Sequence, residues 1–215
     1  MPAHSVSSQV FGDLNEVVES TVSLEDATNL AAAGVTELNL IAMDSTAYDF
    51  DLKPRQSLTN LLNDLETVDG ICSIRIMYAY PRSFPNELID LMAHSAKIVP
   101  YIDMPLQHIS EQVLRAMKRG TNGNAIRKRV RELRDKIRNR RLRTTMLVGY
   151  PDETEADFES LLEFIKDRRF ERLRAFAYSH EEGTPSFDLD DPLSEAVKQD
   201  RLDRLMCSQL RIARA

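Results

Sequence analysis

Cysteine is scarce here: Cys72 and Cys207 are the only two in 215 residues, and they stand far apart. Two solitary thiols build no disulfide framework and fit a reducing compartment, so a cytoplasmic setting is expected. No apolar run approaches the ~20 residues of a membrane span. The start, MPAHSVSSQVFGDLNE, has no basic segment followed by an apolar stretch, so it does not read as a signal peptide. No G-x-G-x-x-G or Walker pattern occurs, and GYPDET offers too few free N–H groups to cradle a phosphate. His108 and His180 have no Cys or His at zinc spacing, so no metal site is expected of them. The net charge of −6 argues against a general polyanion binder and leaves room for a local basic patch.

What is present is an alternation. Apolar, β-rich runs fall at 35–43, 72–80, 97–104, 142–150 and 172–178. Helical patterns fall between them, at 57–66, 85–95, 110–119, 124–138 and 155–169. Strand, helix, strand, helix predicts a parallel sheet with crossover helices. Several strands are nearly continuous in apolar residues, as strands covered on both faces should be. A first helix is expected near 23–33, with Ser23 and Asp26 as a capping box and Gly34 just past its end. Thr154 and Asp157 repeat the N-terminal signal, and a last helix is expected over about 193–213. A βα barrel begins with a strand, and only VSSQVF (6–11) could serve as a weak one. The expected fold is therefore a partial (βα) barrel of about five parallel strands, its first strand missing or degenerate.

In such a barrel the C-terminal ends of the strands share one mouth. Those ends supply Asp44 and Ser45, Tyr80 and Pro81, Asp103 to His108, Gly149 to Glu153, and Tyr178 to Glu182. Arg75 and Arg143 lie in strands and need partners or ligands. Each polar residue also has a structural reading: Asp44 and Asp103 as loop caps, Gln107 bonded to its own turn. The stretch 127–143 holds ten Lys or Arg against two acids, with Ile126, Val130, Leu133 and Ile137 at helical spacing. It reads as an outer helix with a cationic face, solvated or set against RNA.

Six stretches carry a family resemblance: GVTELNLIAMDSTAYDFDL, IRIMYAYP, PYIDMPLQHISEQVLRAMKRG, LRTTMLVGYPDETEADF, FAYSHEEGTP and VKQDRLDRLM. In this order and spacing the chain resembles the radical S-adenosylmethionine (SAM) domain of the methylthiotransferases over roughly nine-tenths of its length. The ribosomal-protein aspartate branch, the RimO type, is the nearer one. The resemblance implies a division into a degenerate N-terminal segment (1–22), the partial barrel (23–192), and a C-terminal helix (193–215) leading to where the family carries a TRAM domain. It implies S-adenosylmethionine as a cofactor, with Asp103 and Gln107 lining its pocket. Arg143 and Thr145 would hold its carboxylate or ribose, and Tyr178 and Glu181 would sit on the last rim. It implies a small-subunit ribosomal protein as partner, and an RNA or ribosome contact through the helix at 124–138.

The family also holds a four-iron, four-sulfur cluster on a C-x-x-x-C-x-x-C loop, since thiolates are its usual ligands. No cysteine precedes Cys72 here, and the segment before the first helix offers serines instead. Ser is a harder, far less acidic ligand than a thiolate, so this chain is not expected to bind the cluster. Met43 stands where the family usually has Gln, Ser73 where it has an aromatic residue, and Asp152 where it has Gly in the GYPDE turn. A changed turn is expected at Asp152. The chain then reads either as a piece of a methylthiotransferase, inactive by itself, or as a cluster-free module that binds S-adenosylmethionine or a ribosomal or RNA partner.

Overall fold

A computed structural model describes residues 20–48, 57–182, 186–187 and 189–214. The weak strand considered at 6–11 lies outside them. Five strands alternate with helices. They are α1 (Ser20–Ala32), β1 (Glu37–Leu40), α2 (Leu58–Glu66), β2 (Ser73–Ile76), α3 (Asn86–His94) and β3 (Ile98–Asp103). Next come α4 (Glu111–Ala116), α5 (Gly123–Lys136), β4 (Arg141–Val148), α6 (Glu155–Arg168), β5 (Arg172–Ala177) and α7 (Glu195–Ala213). The strands take the order β1-β2-β3-β4-β5 in a sheet whose recorded pairings are parallel. Among the described residues, no helix is long and apolar enough to cross a membrane.

Every strand and crossover helix read from the sequence is present. One cap differs. α1 begins at Ser20, so Ser23 lies inside the helix and is not its N-cap. The C-terminal signal holds: Gly34 has φ +91, with Gly34 N–H donating to Ala31 O (2.9 Å) and Val35 N–H to Leu30 O (3.0 Å). Those are the paired bonds of a Schellman motif.

The chain divides into two compact units, one from the residues up to Asp103 with Leu133–Arg140, the other from Met104–Glu132 and Arg141 onward. In the first, β2 pairs with β1 from Glu37↔Ser73 to Leu40↔Ile76, and with β3 at Ile74↔Ile98 and Ile76↔Ile102. Its α2 starts on Ser57, whose hydroxyl accepts from Asn60 N–H. Leu58, Leu61, Leu62 and Leu65 then bury one helical stripe. In the second unit β4 and β5 pair from Arg143↔Arg172 to Val148↔Ala177. Burial alternates along β4: Leu142, Thr144, Met146 and Val148 are buried, while Arg143, Thr145 and Leu147 are half-buried. Helix α6 adds Phe158, Leu161, Phe164 and Ile165 to this core. Each such side chain contributes about 1.5–3 kcal/mol when fully buried.

Helix α6 has the expected capping box, Thr154 and Asp157 bonding each other's backbone N–H. The turn before it corrects an expectation. Asp152 keeps φ +70, a left-handed conformation that glycine adopts without strain. The turn is thus unchanged, and the side chain carries the conformational cost. Asp152→Gly is expected to raise unfolding free energy by about 0.5–1 kcal/mol, measured by urea denaturation. A loss of stability would mean that the Asp152 side chain makes a contact outweighing the strain.

Candidate functional site

In the first unit the predicted rim residues are mostly engaged with one another. Asp44 Oδ1 accepts from Thr46 N–H (2.9 Å) and from the Thr46 hydroxyl, and Asp44 Oδ2 accepts from Ser83 Oγ (2.9 Å). Tyr80 N–H donates to Thr46 Oγ1 (3.2 Å), and Ser45 Oγ donates to Met77 O (2.6 Å). These bonds tie the loop after β1 to the loop after β2, so Asp44 is a loop cap. Arg75 finds its partner inside the unit: Nε and Nη2 each lie 3.3 Å from Glu37 Oε1, and the guanidinium stacks 4.9 Å from the Tyr101 ring centre. Asp103 is fully buried at the end of β3, and its carbonyl accepts from Ala79 N–H.

The second unit holds the other five predicted residues. The corner Pro105-Leu106-Gln107-His108 is pinned along β4 by Met104 N–H to Arg143 O (2.9 Å), Gln107 N–H to Thr145 O (2.9 Å) and Leu147 N–H to Gln107 O (2.8 Å). Gln107 takes φ +69, which L-residues adopt at a cost. The corner thus brings Gln107 against Arg143 and Thr145. Tyr178 follows β5 and is buried, its ring edge-to-face with Tyr150 at 5.2 Å. Its hydroxyl lies 3.3 Å from both His180 Nδ1 and Ser186 O. Glu181 is exposed on the loop beyond.

Sequence reasoning missed a buried ionic cluster in this unit. His108, Glu153 and Arg201 are all but excluded from solvent. Glu153 Oε2 accepts from Gly149 N–H (2.5 Å) and Tyr150 N–H (3.3 Å), and Arg201 Nη1 donates to Glu153 Oε1 (3.0 Å). Arg201 also reaches the Glu153 carbonyl and Glu155 Oε2. His108 Nδ1 accepts from Ser110 N–H (2.9 Å), which leaves the proton on Nε2, 3.9 Å from Glu153 Oε2. Beside them Lys198 is buried, its ammonium bonded to Asp191 Oδ2 (2.5 Å) and Glu195 Oε1 (2.8 Å) and 5.3 Å from the Tyr178 ring centre. A Cβ on Gly149 would meet Lys198 Cγ at 2.5 Å, so this turn also needs glycine for space. The signal was available: Lys198, Arg201, Leu205 and Gln209 share one buried stripe of α7, with basic residues in core positions.

Burial sets the protonation of the cluster. It pushes the Glu153 carboxyl up to about 7, against Arg201 and two backbone N–H groups. It pulls His108 down to about 4, with the Asp157 charge opposing and Arg201 assisting, so the ring is neutral at pH 7. Burial alone would lower the Lys198 pKa, but its hydrogen bonds to Asp191 and Glu195 outweigh that and hold it above the ordinary value. The His108 shift has a stability consequence. A depressed pKa gives stability that is present above the unfolded value of 6.5 and is lost as pH falls toward 4. His108→Gln removes that loss. Its stability deficit against the wild type should shrink by up to about 1.4 kcal/mol per pH unit between pH 6.5 and 4. Parallel pH profiles for the two proteins would show that His108 titrates normally.

The comparisons with known proteins follow the same outline. Residues 17–165 match the family model of the radical SAM superfamily. The chain is 50% identical over 190 residues to the ribosomal protein uS12 methylthiotransferase RimO of Anaeromyxobacter sp. (strain K), covering 88% of this chain and 40% of that protein. It is 48% identical over 189 residues to RimO of Myxococcus xanthus, again covering 88% of this chain and 40% of that protein. It therefore spans about two-fifths of the length of these curated relatives. Among solved structures, coproporphyrinogen III oxidase (HemN) of Escherichia coli aligns with TM-score 0.59 at 16% identity, over 94% of this chain and 49% of that one. Methylornithine synthase (PylB) aligns with TM-score 0.53 at 17% identity, over 86% of this chain and 52% of that one. At such identities these two likenesses speak for the fold, the partial barrel expected from the strand pattern. On its sequence and its fold together, the chain belongs to the radical SAM superfamily.

Proposed function

We propose that this chain is the barrel portion of a RimO-type methylthiotransferase, a cytoplasmic protein whose whole form adds a methylthio group to an aspartate of a small-subunit ribosomal protein. The observation that carries the reading is identity to RimO proteins over 88% of the chain. The Gln107 corner supports it by setting a polar residue against Arg143 and Thr145 on β4. In this reading Gln107 and Asp103 line the S-adenosylmethionine pocket, Arg143 and Thr145 take its carboxylate or ribose, and Tyr178 and Glu181 close the rim.

The iron–sulfur cluster of the family does not fit these residues. The motif needs three closely spaced thiolates, and the sequence holds two cysteines, 135 positions apart and both exposed. No step is therefore routed through a cluster on this chain, and its own contribution is to bind and orient. Anaerobic reconstitution with iron and sulfide is expected to leave no iron bound, whereas about four irons per chain would reveal ligands other than a cysteine triad. Calorimetric titration with S-adenosylmethionine is expected to show weak binding that Gln107→Ala and Thr145→Val remove. Unchanged binding in both variants would move the pocket elsewhere.

A second contact is favoured by α5 and the turn after it. Lys128, Arg131 and Arg138 are exposed along it, and neither Arg131 nor Arg138 has an ion-pair partner among the described residues. We read this as an RNA contact, in keeping with a ribosomal substrate. Single-stranded RNA should bind with an affinity whose log–log salt slope is about −0.7 per phosphate contacted. Arg131→Glu with Arg138→Glu should abolish binding; binding that survives would return the face to plain solvation.

A further inference from the structure

The two faces of the β4–β5 pair differ in kind. One is the buried apolar face, with Leu142, Met146, Val148 and Leu173. Residues in register on parallel strands project to the same side, so the other face is a grid of three rows: Arg143 beside Arg172, Thr145 beside Arg174, Leu147 beside Phe176. Arg172, Arg174 and Phe176 are exposed, Phe176 by 53%.

This grid sets like charges together. Neighbouring strands lie about 4.8 Å apart and alternate residues about 6.6 Å along a strand. Like charges directly opposite each other destabilise a sheet pair. Arg172 and Arg174 have no acid partner or hydrogen bond among the described residues. The contrast is with β2, where Arg75 on its strand face is matched by Glu37. A guanidinium pair left unmatched, with an exposed aromatic ring next in line, fits a ligand that brings both an anion and a ring.

We propose that the exposed face of β5 is a binding site for a nucleoside phosphate. Arg172 and Arg174 take the phosphate, and Phe176 stacks on the base. The charge selects phosphate over carboxylate. Two guanidiniums carry +2, and a phosphate monoester carries about −1.5 to −2 at neutral pH where a carboxylate carries −1. S-adenosylmethionine is a poor fit to this pair, because its sulfonium and amino groups outweigh its single carboxylate. The site is also separate from the rim. Arg172 opens β5 and Tyr178 follows its end, about 20 Å along the strand. Binding by Gln107 and Thr145 and binding by Arg172 and Arg174 can therefore fail independently.

The test uses the full chain, with adenosine monophosphate, adenosine, inorganic phosphate and S-adenosylhomocysteine as probes in low-salt calorimetry, and thermal melts alongside. Adenosine monophosphate is expected to bind at least about tenfold more tightly than either adenosine or inorganic phosphate alone, a charge-assisted contact being worth that much. Arg172→Gln and Arg174→Gln should each remove that advantage without lowering the melting temperature, since each relieves repulsion. Phe176→Ser should weaken adenosine and adenosine monophosphate by the same factor. Equal binding of adenosine and its monophosphate would overturn the proposal. So would no heat with the monophosphate at millimolar concentration on a chain that melts cooperatively. S-adenosylhomocysteine binding more tightly than the monophosphate would give the pair to a carboxylate instead. A lower melting temperature in the arginine variants would make both arginines structural.

Discussion

The carboxylate of Glu153 sits out of solvent beyond the end of β4, and the second unit is arranged around it. Gly149 and Tyr150 donate their backbone N–H groups to it, and Arg201 reaches it from α7. A buried charge without partners would cost several kcal/mol, so these donors are what make the position tolerable. In return the carboxylate fixes the strand-end turn, the start of α6 through Arg201 and Glu155, and the seat of α7. His108 is held neutral beside it, and through Ser110 it joins the corner to the N-terminus of α4. The corner in turn is hydrogen-bonded along β4. A single desolvated ion pair thus links the Gln107 corner, the GYPDE turn and the last helix.

Charge is handled in two ways on the strand faces. In the first unit Arg75 is neutralised by Glu37 and laid on Tyr101. In the second, Arg172 and Arg174 stand exposed on β5 beside a strand that already carries Arg143. The first arrangement stabilises the sheet. The second costs stability, and a ligand anion would recover it. The same molecule buries Lys198 with two acids and Arg201 with two more. An unmatched pair on β5 is therefore a departure from the chain's own practice.

Membership of the radical SAM superfamily and the cysteine count pull in different directions. The fold, the corner and the strand-end turn belong with the family, while the thiolates that would hold its cluster are not among these residues. What remains is a scaffold whose chemistry is that of binding. Polar groups are held in place by backbone hydrogen bonds on β4, and cations face outward on α5 and β5. That division separates what this stretch of polypeptide can do from what the longer relatives do.

The sequence by itself determined the element order, because period and end signals are local. Five strands and the helices between them were legible from runs such as LRTTMLV and from Thr154-x-x-Asp157, and the structure keeps them. It also pointed to Gln107, Arg143 and Thr145 as neighbours, through strand order alone. Ser23 was misjudged as a cap because a helix can start earlier than its strongest local signal. The turn at Asp152 was misjudged because a neighbourhood can hold a residue at positive φ whatever its preference. Only the tertiary structure decided that Glu153 meets Arg201, 48 residues away, and that His108 sits beside both. It alone decided that Arg75 is matched and Arg172 and Arg174 are not. Periodicity reports which face a residue takes, but not which charge arrives opposite it. That depends on the register of strands and helices far apart in the chain, and so does the chemistry of the site.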